Sequence, residues 1–480
     1  MLGWLSRLRV ERQPKKVVEA SYESASTVTD LEVHFGRTDT LSPNASIGHD
    51  VRLKVALKAR HEAKNDPYAR GIVTTMANDT IGRQPRLQME GGADPRQIEH
   101  DWNAWMVETH FPDKLRTMRS AKCTDGDTFG RLTSNPNLEL VNLDFRLYEM
   151  EQVQSPTFGS SFSENEDKHV DGVELDGRGN PLRYFVFAQH PGGNSNVGSM
   201  QAEGEWVPAE QIVHLFRRDR PGQQRGMSEM QPALHLFPMR RRYSLATLAA
   251  AETAADFAGV IETTSGSYDG PTKDEVELGT MFPTRRRMLT ALPFGWKLSQ
   301  LKAEQPVMHY KDYHDSIIRE IARCLNVPFN VAAGDSSEHN YASGRLDHQT
   351  YFRSIDIERS EIEAYCLEKV FTSWLREYLG VTSGIRQDDI ELTSYKHQWH
   401  WDPHPHADPE KAAKADEILW NLGLFTDSDY LGRQGKDPEQ HYEALAMQNA
   451  KRQPLNMPMP GIHKQEIDSG DGRIQRESQS

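Results

Sequence analysis

The stretch IARCLNVPFNVAAGDSSEHNYASGRLDHQTYF, Ile321–Phe352, decides how this chain is organised. Tyr313, Ile317, Ile321 and Leu325 recur every four residues and mark one buried helical face. Pro328 excludes Val327 from the helical region, so the helix is predicted to stop there. Gly334–Asn340 then reads Gly, Asp, Ser, Ser, Glu, His, Asn, too polar to bury and expected to be a mobile loop. A long second helix follows, ending at Tyr378-Leu379 with Gly380 as its C′ residue. No nucleophile–base pair and no phosphate loop is legible here. A polar loop held between helices points to a mechanical part.

Outside that stretch, composition sets bounds. A chain of 480 residues holds two or three domains. Mean hydropathy is -0.71, and no apolar run approaches the roughly 20 residues that span a bilayer, so no membrane contact is expected. The opening MLGWLSRLRV is too short for a signal peptide, and its Leu2, Leu5, Leu8 spacing suits a small amphipathic helix docking on a partner. Cys123, Cys324 and Cys366 are odd in number and far apart, which argues against a disulfide framework or a thiolate zinc site and fits a reducing cytoplasm. A net charge of -14 argues against a broad surface that grips nucleic acid. It is compatible with a surface past which DNA slides, and equally with an ordinary acidic soluble protein.

The fold class expected is α+β. Residues 1–45 read as a flexible segment. Residues 46–227 form an α+β region: two helices broken near Asn65-Asp66-Pro67, a helical stretch with Trp102, Trp105 and Phe111, then strands over Leu138–Tyr148, Tyr184–Phe187 and Gln211–Phe216. Residues 228–263 are helical and rich in alanine, with Leu234, Phe237, Leu245 and Leu248 on one face; 264–309 form a short α/β patch, and 310–327 the helix before the loop. The loop and long helix occupy 328–406. Residues 407–451 form a helical bundle with caps at Asp408-Pro409, Thr426 and Asp437-Pro438, and 452–480 a disordered tail.

Four constellations tempt a chemical reading. HQWHWDPHPH, His397–His406, could supply metal ligands from His400, His404 and His406 with Asp402, the basis of an alternative reading as a metal-dependent nuclease or hydrolase. Pro403 and Pro405 keep those histidines off one helical face, and a structured linker is the simpler reading. Asp125 and Asp127 in CTDGDTFG could hold magnesium or act as acid and base, yet an Asp/Gly-rich segment is more simply a turn. RPGQQRGMSE is neither a dinucleotide fingerprint nor a phosphate loop. The basic triplets Arg240–Arg242 and Arg285, Arg286, Arg287 read as solvated faces or subunit salt bridges, or else as contacts to nucleic acid or an acidic partner. No catalytic residue, cofactor or metal is expected.

Five segments in order carry a resemblance: ARHEAKNDPYARGIVTTMANDTIG, DGVELDGRGNPLRYFVFAQHPG, WVPAEQIVHLFRRDRPGQQRGMSEMQPAL, REIARCLNVPFNVAAGDSSEHNYASGR and DPEKAAKADEILWNLGLFTDSDYLGRQGKDPEQ. Together they resemble the lambda-like family of tailed-bacteriophage portal proteins over roughly residues 50–445. The resemblance implies a non-catalytic ring of about twelve subunits at one capsid vertex. It implies further that the ring is a conduit for double-stranded DNA in packaging and ejection, docking terminase, the major capsid and scaffolding proteins, and head-completion or tail proteins. Such a protein is assembled in the host bacterial cytoplasm and resides in the virion. A non-channel capsid scaffold or adaptor is the other alternative. The resemblance further implies a wing over 46–227, paired stem helices over 228–263 and 310–327, a clip over 264–309, and a crown over 407–451. The channel-facing tunnel loop would comprise Asn330, Gly334, Asp335, Ser336, Ser337, Glu338, His339 and Asn340, and Arg285–Arg287 would contact a partner at the clip.

Overall fold

Helix boundaries in the N-terminal part follow from capping chemistry. In the computed structural model the described residues are 40–155, 168–193, 203–256, 260–263, 296–299, 307–337, 341–384, 394–404, 409–424, 426–433, 436, 438–455 and 457. Ser42 caps the single turn α1 (Pro43–Ser46), its hydroxyl accepting from the Ala45 amide at 3.1 Å. α2 (His49–Asn65) ends at Asp66, whose carboxylate accepts from the Tyr68 and Ala69 amides at 3.0 and 3.2 Å and so starts α3 (Pro67–Ile81). Pro67 sits at the first helical position, where its missing N–H costs nothing.

β1 (Arg86–Met89), α4 (Pro95–Glu108) and α5 (Phe111–Thr124) follow. β2 (Asp127–Ser134) pairs antiparallel with β3 (Leu143–Tyr148). The strand expected from Leu138 therefore begins five residues later, and part of CTDGDTFG, expected to be a turn, is strand. Only its Gly126, at φ +91°, turns the chain. A small sheet of β4 (His169–Val170), β5 (Val173–Leu175), β6 (Pro181–Phe187) and β7 (Gly204–Pro208) is ordered as in sequence. β8 (Ile212–Phe216) completes the order β3-β2-β8.

Beyond it, α6 (Leu236–Asp256) is a 21-residue helix, and β9 (Val260–Thr263) pairs antiparallel with β10 (Trp296–Ser299). The segment read as helix to residue 263 thus ends in a strand. α7 (Val307–Cys324), α8 (Phe329–Ala333) and α9 (Tyr341–Ile362) come next. A π-helical turn, Glu363–Leu367, joins α9 to α10 (Glu368–Ser383). Gly380 lies inside α10; the glycine in the left-handed conformation is Gly384, at φ +65°. β11 (His397–His400) returns to pair with β1, and α11 (Pro409–Asn421), α12 (Asp427–Arg433) and α13 (Pro438–Arg452) follow.

Three cores result. The first packs α4, α5, β3 and α10 around Trp102, which stacks on Trp105 at 4.8 Å and meets Phe371 and Trp374 edge-on at 5.3 and 5.2 Å. The second is helical: Ile72 and Met76 of α3, Phe237 of α6, Ile317 and Ile321 of α7, and Ile355 of α9. The third is the small β core of Phe129, Tyr184, Val186 and Val207.

Candidate functional site

The segment that opened the sequence argument hangs from the second core. Ile317, Ile321 and Leu325 are buried, whereas Tyr313 stays 40% exposed and lies against Tyr243 at 4.4 Å. α7 stops at Cys324, three residues before Val327. Asn326 takes the left-handed conformation (φ +54°), the Val327 amide reaches back to the Ala322 carbonyl at 3.0 Å, and that of Asn326 to Arg323 at 3.3 Å. These two bonds are a Schellman cap, and both Val327 and Ala322 are buried in the second core. Pro328 begins the next turn, so Asn330 lies in α8, where its Nδ2 is 3.1 Å from His348 Nε2. The loop proper starts at Gly334 (φ +67°), where the Asp335 amide donates to the Asn330 carbonyl at 3.1 Å and the Asp335 carboxylate accepts from the Ser337 amide at 2.9 Å. Gly334, Asp335, Ser336 and Ser337 are all exposed. Glu338, His339 and Asn340 lie outside the described residues.

α6 and α7 run antiparallel. Ser244 Oγ is 2.8 Å from Tyr310 Oη, and Arg240 Nη1 is 3.1 Å from His314 Nε2. At their base, Arg240 donates to Asp66 at 2.6 Å and stacks over Tyr68, while Arg241 donates to Glu62 at 2.9 Å. Two of the three arginines in Arg240–Arg242 therefore fasten the helix pair to α2 and α3. Further up α6 the apolar face is bare: Leu245 is 65% and Leu248 55% exposed, beside exposed Ala246 and Ala250. Arg285, Arg286 and Arg287 lie outside the described residues.

The acidic pair is structural. Asp127 has no exposed side-chain surface; Arg52 donates to it at 2.9 Å and Arg225 at 2.5 Å, and the Gly226 amide also donates to it. Burial alone would raise its carboxyl, but Arg225, His214 and Arg52 hold it well below the usual carboxylate range. Asp125 takes a bidentate pair from Arg60 at 2.7 and 2.8 Å. RPGQQRGMSE supplies this knot: Arg225 also donates to the Val153 and Asp171 carbonyls at 2.9 and 2.5 Å, and Gly126 and Gly226 let two backbones touch where any Cβ would overlap.

The histidines do not converge. His397 donates to Glu368 at 3.0 Å, His400 meets Gln88 at 2.5 Å, and His404 donates to Asp356 at 2.7 Å while stacking on Phe352. Asp402 accepts from the Arg83 amide at 2.7 Å. His406 lies outside the described residues. Among the described residues one trio, Glu149, Glu151 and His190, brings potential metal ligands together. Arg60 already supplies its cation, donating to Glu151 at 2.6 Å and standing 3.5 Å from Glu149. A cleft of about 170 Å3 between α5 and α9 has charged walls that are likewise paired, with Arg119–Glu358 at 2.8 Å and Lys122–Glu358 at 2.9 Å. No described helix is long and apolar enough to cross a membrane.

Charged groups spent on joining helices, and a loop carried on a capped helix pair, define a structural subunit. Comparison with known proteins says which. The chain belongs to the lambda family of phage portal proteins, whose family model matches residues 36–359. It is 23% identical over 436 residues to the "Probable portal protein" of Halomonas phage phiHAP-1, covering 84% of this chain and 81% of that one. Among solved structures, it is similar to a chain in the neck of the native GTA particle computed with C12 symmetry, with TM-score 0.48 and 14% identity over 82% of this chain and 95% of that one. A chain in the neck of the empty GTA particle computed with C6 symmetry gives TM-score 0.48 and 16% identity over 84% and 96%. The chain is thus a portal-vertex protein of a phage particle, a structural assembly component without enzymatic function.

Proposed function

We propose that this chain forms a ring of about twelve copies around a channel for double-stranded DNA, with α6 and α7 as the stem and residues 334–340 as the loop facing the channel. The single observation that carries this reading, beyond family membership, is the antiparallel α6–α7 pair. It is locked at its base by Arg240 and Arg241, yet bare along Leu245 and Leu248. A lone subunit gains nothing from that bare stripe, whereas a neighbour in a ring covers it. Residues 46–227 with α9 and α10 serve as the wing, 264–309 as the clip, and α11–α13 as the crown. Arg285–Arg287 contact terminase or a head-completion or tail protein, major capsid and scaffolding proteins bind the rim, and the ring is assembled in the host cytoplasm before it resides in the virion. An acidic subunit suits a channel that passes phosphates without trapping them. Negative-stain images of the purified full chain should show closed rings; a monomer at high concentration, with capsid or scaffolding protein present, overturns the reading. Deleting Gly334–Glu338 should leave rings intact and impair DNA packaging or retention, and normal packaging would remove the loop from the channel.

A further inference from the structure

α2 turns Arg52, Ala56, Ala59 and Glu62 into the protein. Its opposite side presents Lys54, Leu57, Lys58, His61 and Lys64, all exposed, with exposed Arg70 following in α3. The three- and four-residue spacings set these side chains along one stripe, about 15 Å long from Lys54 to Lys64. Arg52, Arg60, Arg119, Lys122, Arg240 and Arg241 each meet a carboxylate. By contrast, Lys54, Lys58, Lys64 and Arg70 have no carboxylate partner among the described residues, and the exposed acid of α2 is Asp50, in its first turn. This basic stripe stands on a chain of net charge -14. It is also partly apolar: Leu57 is 53% exposed within it, and Val51, three residues before Lys54, is 45% exposed at its end.

We infer that this stripe is the basic half of a contact between copies: α2 of one subunit docks on an acidic surface of the next. The inference rests on the ring reading, because a ring contact joins two different patches of the same chain. A cationic stripe on an otherwise acidic molecule is the complement that a second copy requires. Val51 and Leu57 favour a protein surface over a phosphate backbone, which offers a cation stripe no aliphatic match.

The test uses the full-length chain and its K54E/K58E/K64E variant, assembled at rising sodium chloride and followed by light scattering and negative stain. Wild-type rings should need a higher protein concentration as salt screens the contact. The variant should raise the concentration needed at low salt by about tenfold or more. In parallel, wild-type rings assembled from mixed nitrogen-14 and nitrogen-15 chains are treated with a zero-length carbodiimide. Lys54, Lys58 or Lys64 should join carboxylate peptides of the other isotope. If wild type makes no rings, the ring reading itself has failed and takes this contact with it. If rings form but the variant assembles with the same threshold and salt dependence, or the crosslinks join only peptides of one isotope, the α2 contact is refuted and the ring stands. A variant with normal rings and lost DNA retention would assign the stripe to nucleic acid and overturn the inference in that way.

Discussion

Asp127 is held by two arginines, neither of which has more than 1% of its side chain exposed. Asp127→Asn would leave Arg52 and Arg225 buried with the partly exposed Asp171 as their remaining carboxylate, and should cost about 3 kcal/mol in chemical denaturation of the full chain. Asp125→Asn should cost less, about 1–2 kcal/mol, because Arg60 is 20% exposed and keeps Glu151. Chelators should change neither protein's melting, since the cations in this knot are guanidinium groups. The same knot makes the fold acid-sensitive. Burial pushes the His214 imidazole down to about 4, against the pull of Asp127, whose Oδ1 lies 3.6 Å from Nε2, too far for a hydrogen bond. Below an unfolded value of about 6.5, the unfolded chain takes up a proton that the folded one refuses. Stability should therefore fall as pH drops from 6.5 to 4, by about 3 kcal/mol, and His214→Gln should flatten that part of the pH profile. Asp127 adds a further loss at lower pH, as its depressed carboxyl is finally protonated. The sequence shows Asp-Gly-Asp and reads as a turn, which is right for Gly126 alone. Its arginine partners lie 75 and 98 residues away, beyond any local pattern.

At the scale of the element, the segment before the loop shows what a proline does and does not decide. Pro328 forbids helix at Val327, yet α7 ends at Cys324 because Asn326 enters the left-handed region and two back-bonds close the cap. Asn326→Gly should be neutral or slightly stabilising, whereas Asn326→Val should cost about 1–2 kcal/mol by thermal denaturation and speed hydrogen exchange at the Val327 amide. Equal effects of the two substitutions would mean that backbone conformation at 326 is not what stops the helix. Gly380 shows the reverse error. A glycine after Tyr378-Leu379 looks like a helix end, but Tyr378 and Leu379 are themselves buried in the tryptophan core and α10 runs on to Ser383. The π-helical turn at Glu363–Leu367 left no signal in the sequence, since one extra residue per turn is an outcome of how Cys366 and Leu367 reach the core.

For the whole molecule, the order of segments is legible where composition changes sharply: polar loop, alanine-rich helix, and C-terminal helices beginning at Pro409, Asp427 and Pro438, whose expected caps Asp408 and Asp437 lie outside the described residues. What no local pattern reveals is whether an apolar stripe faces the subunit's own core or a neighbour. Leu234, Phe237, Leu245 and Leu248 share one periodic face in sequence, yet in the structure the face divides. Phe237 is fully buried and Leu234 packs partly buried on the second core, while Leu245 and Leu248 stand clear of it. That division separates folding from assembly, and so permits a decisive pair of substitutions. Leu245→Asp with Leu248→Asp removes no contact with the subunit's own core, so the change in folding stability should stay within about 1 kcal/mol. In a ring, the same carboxylates would have to be taken out of water against the neighbouring subunit, at a cost repeated at every joint. The double variant should keep the wild-type circular dichroism and melting of the subunit while sedimenting as a monomer where wild type forms rings. Should it form rings as readily as wild type, the upper half of α6 does not lie between subunits, and the bare leucines must face something other than a second copy.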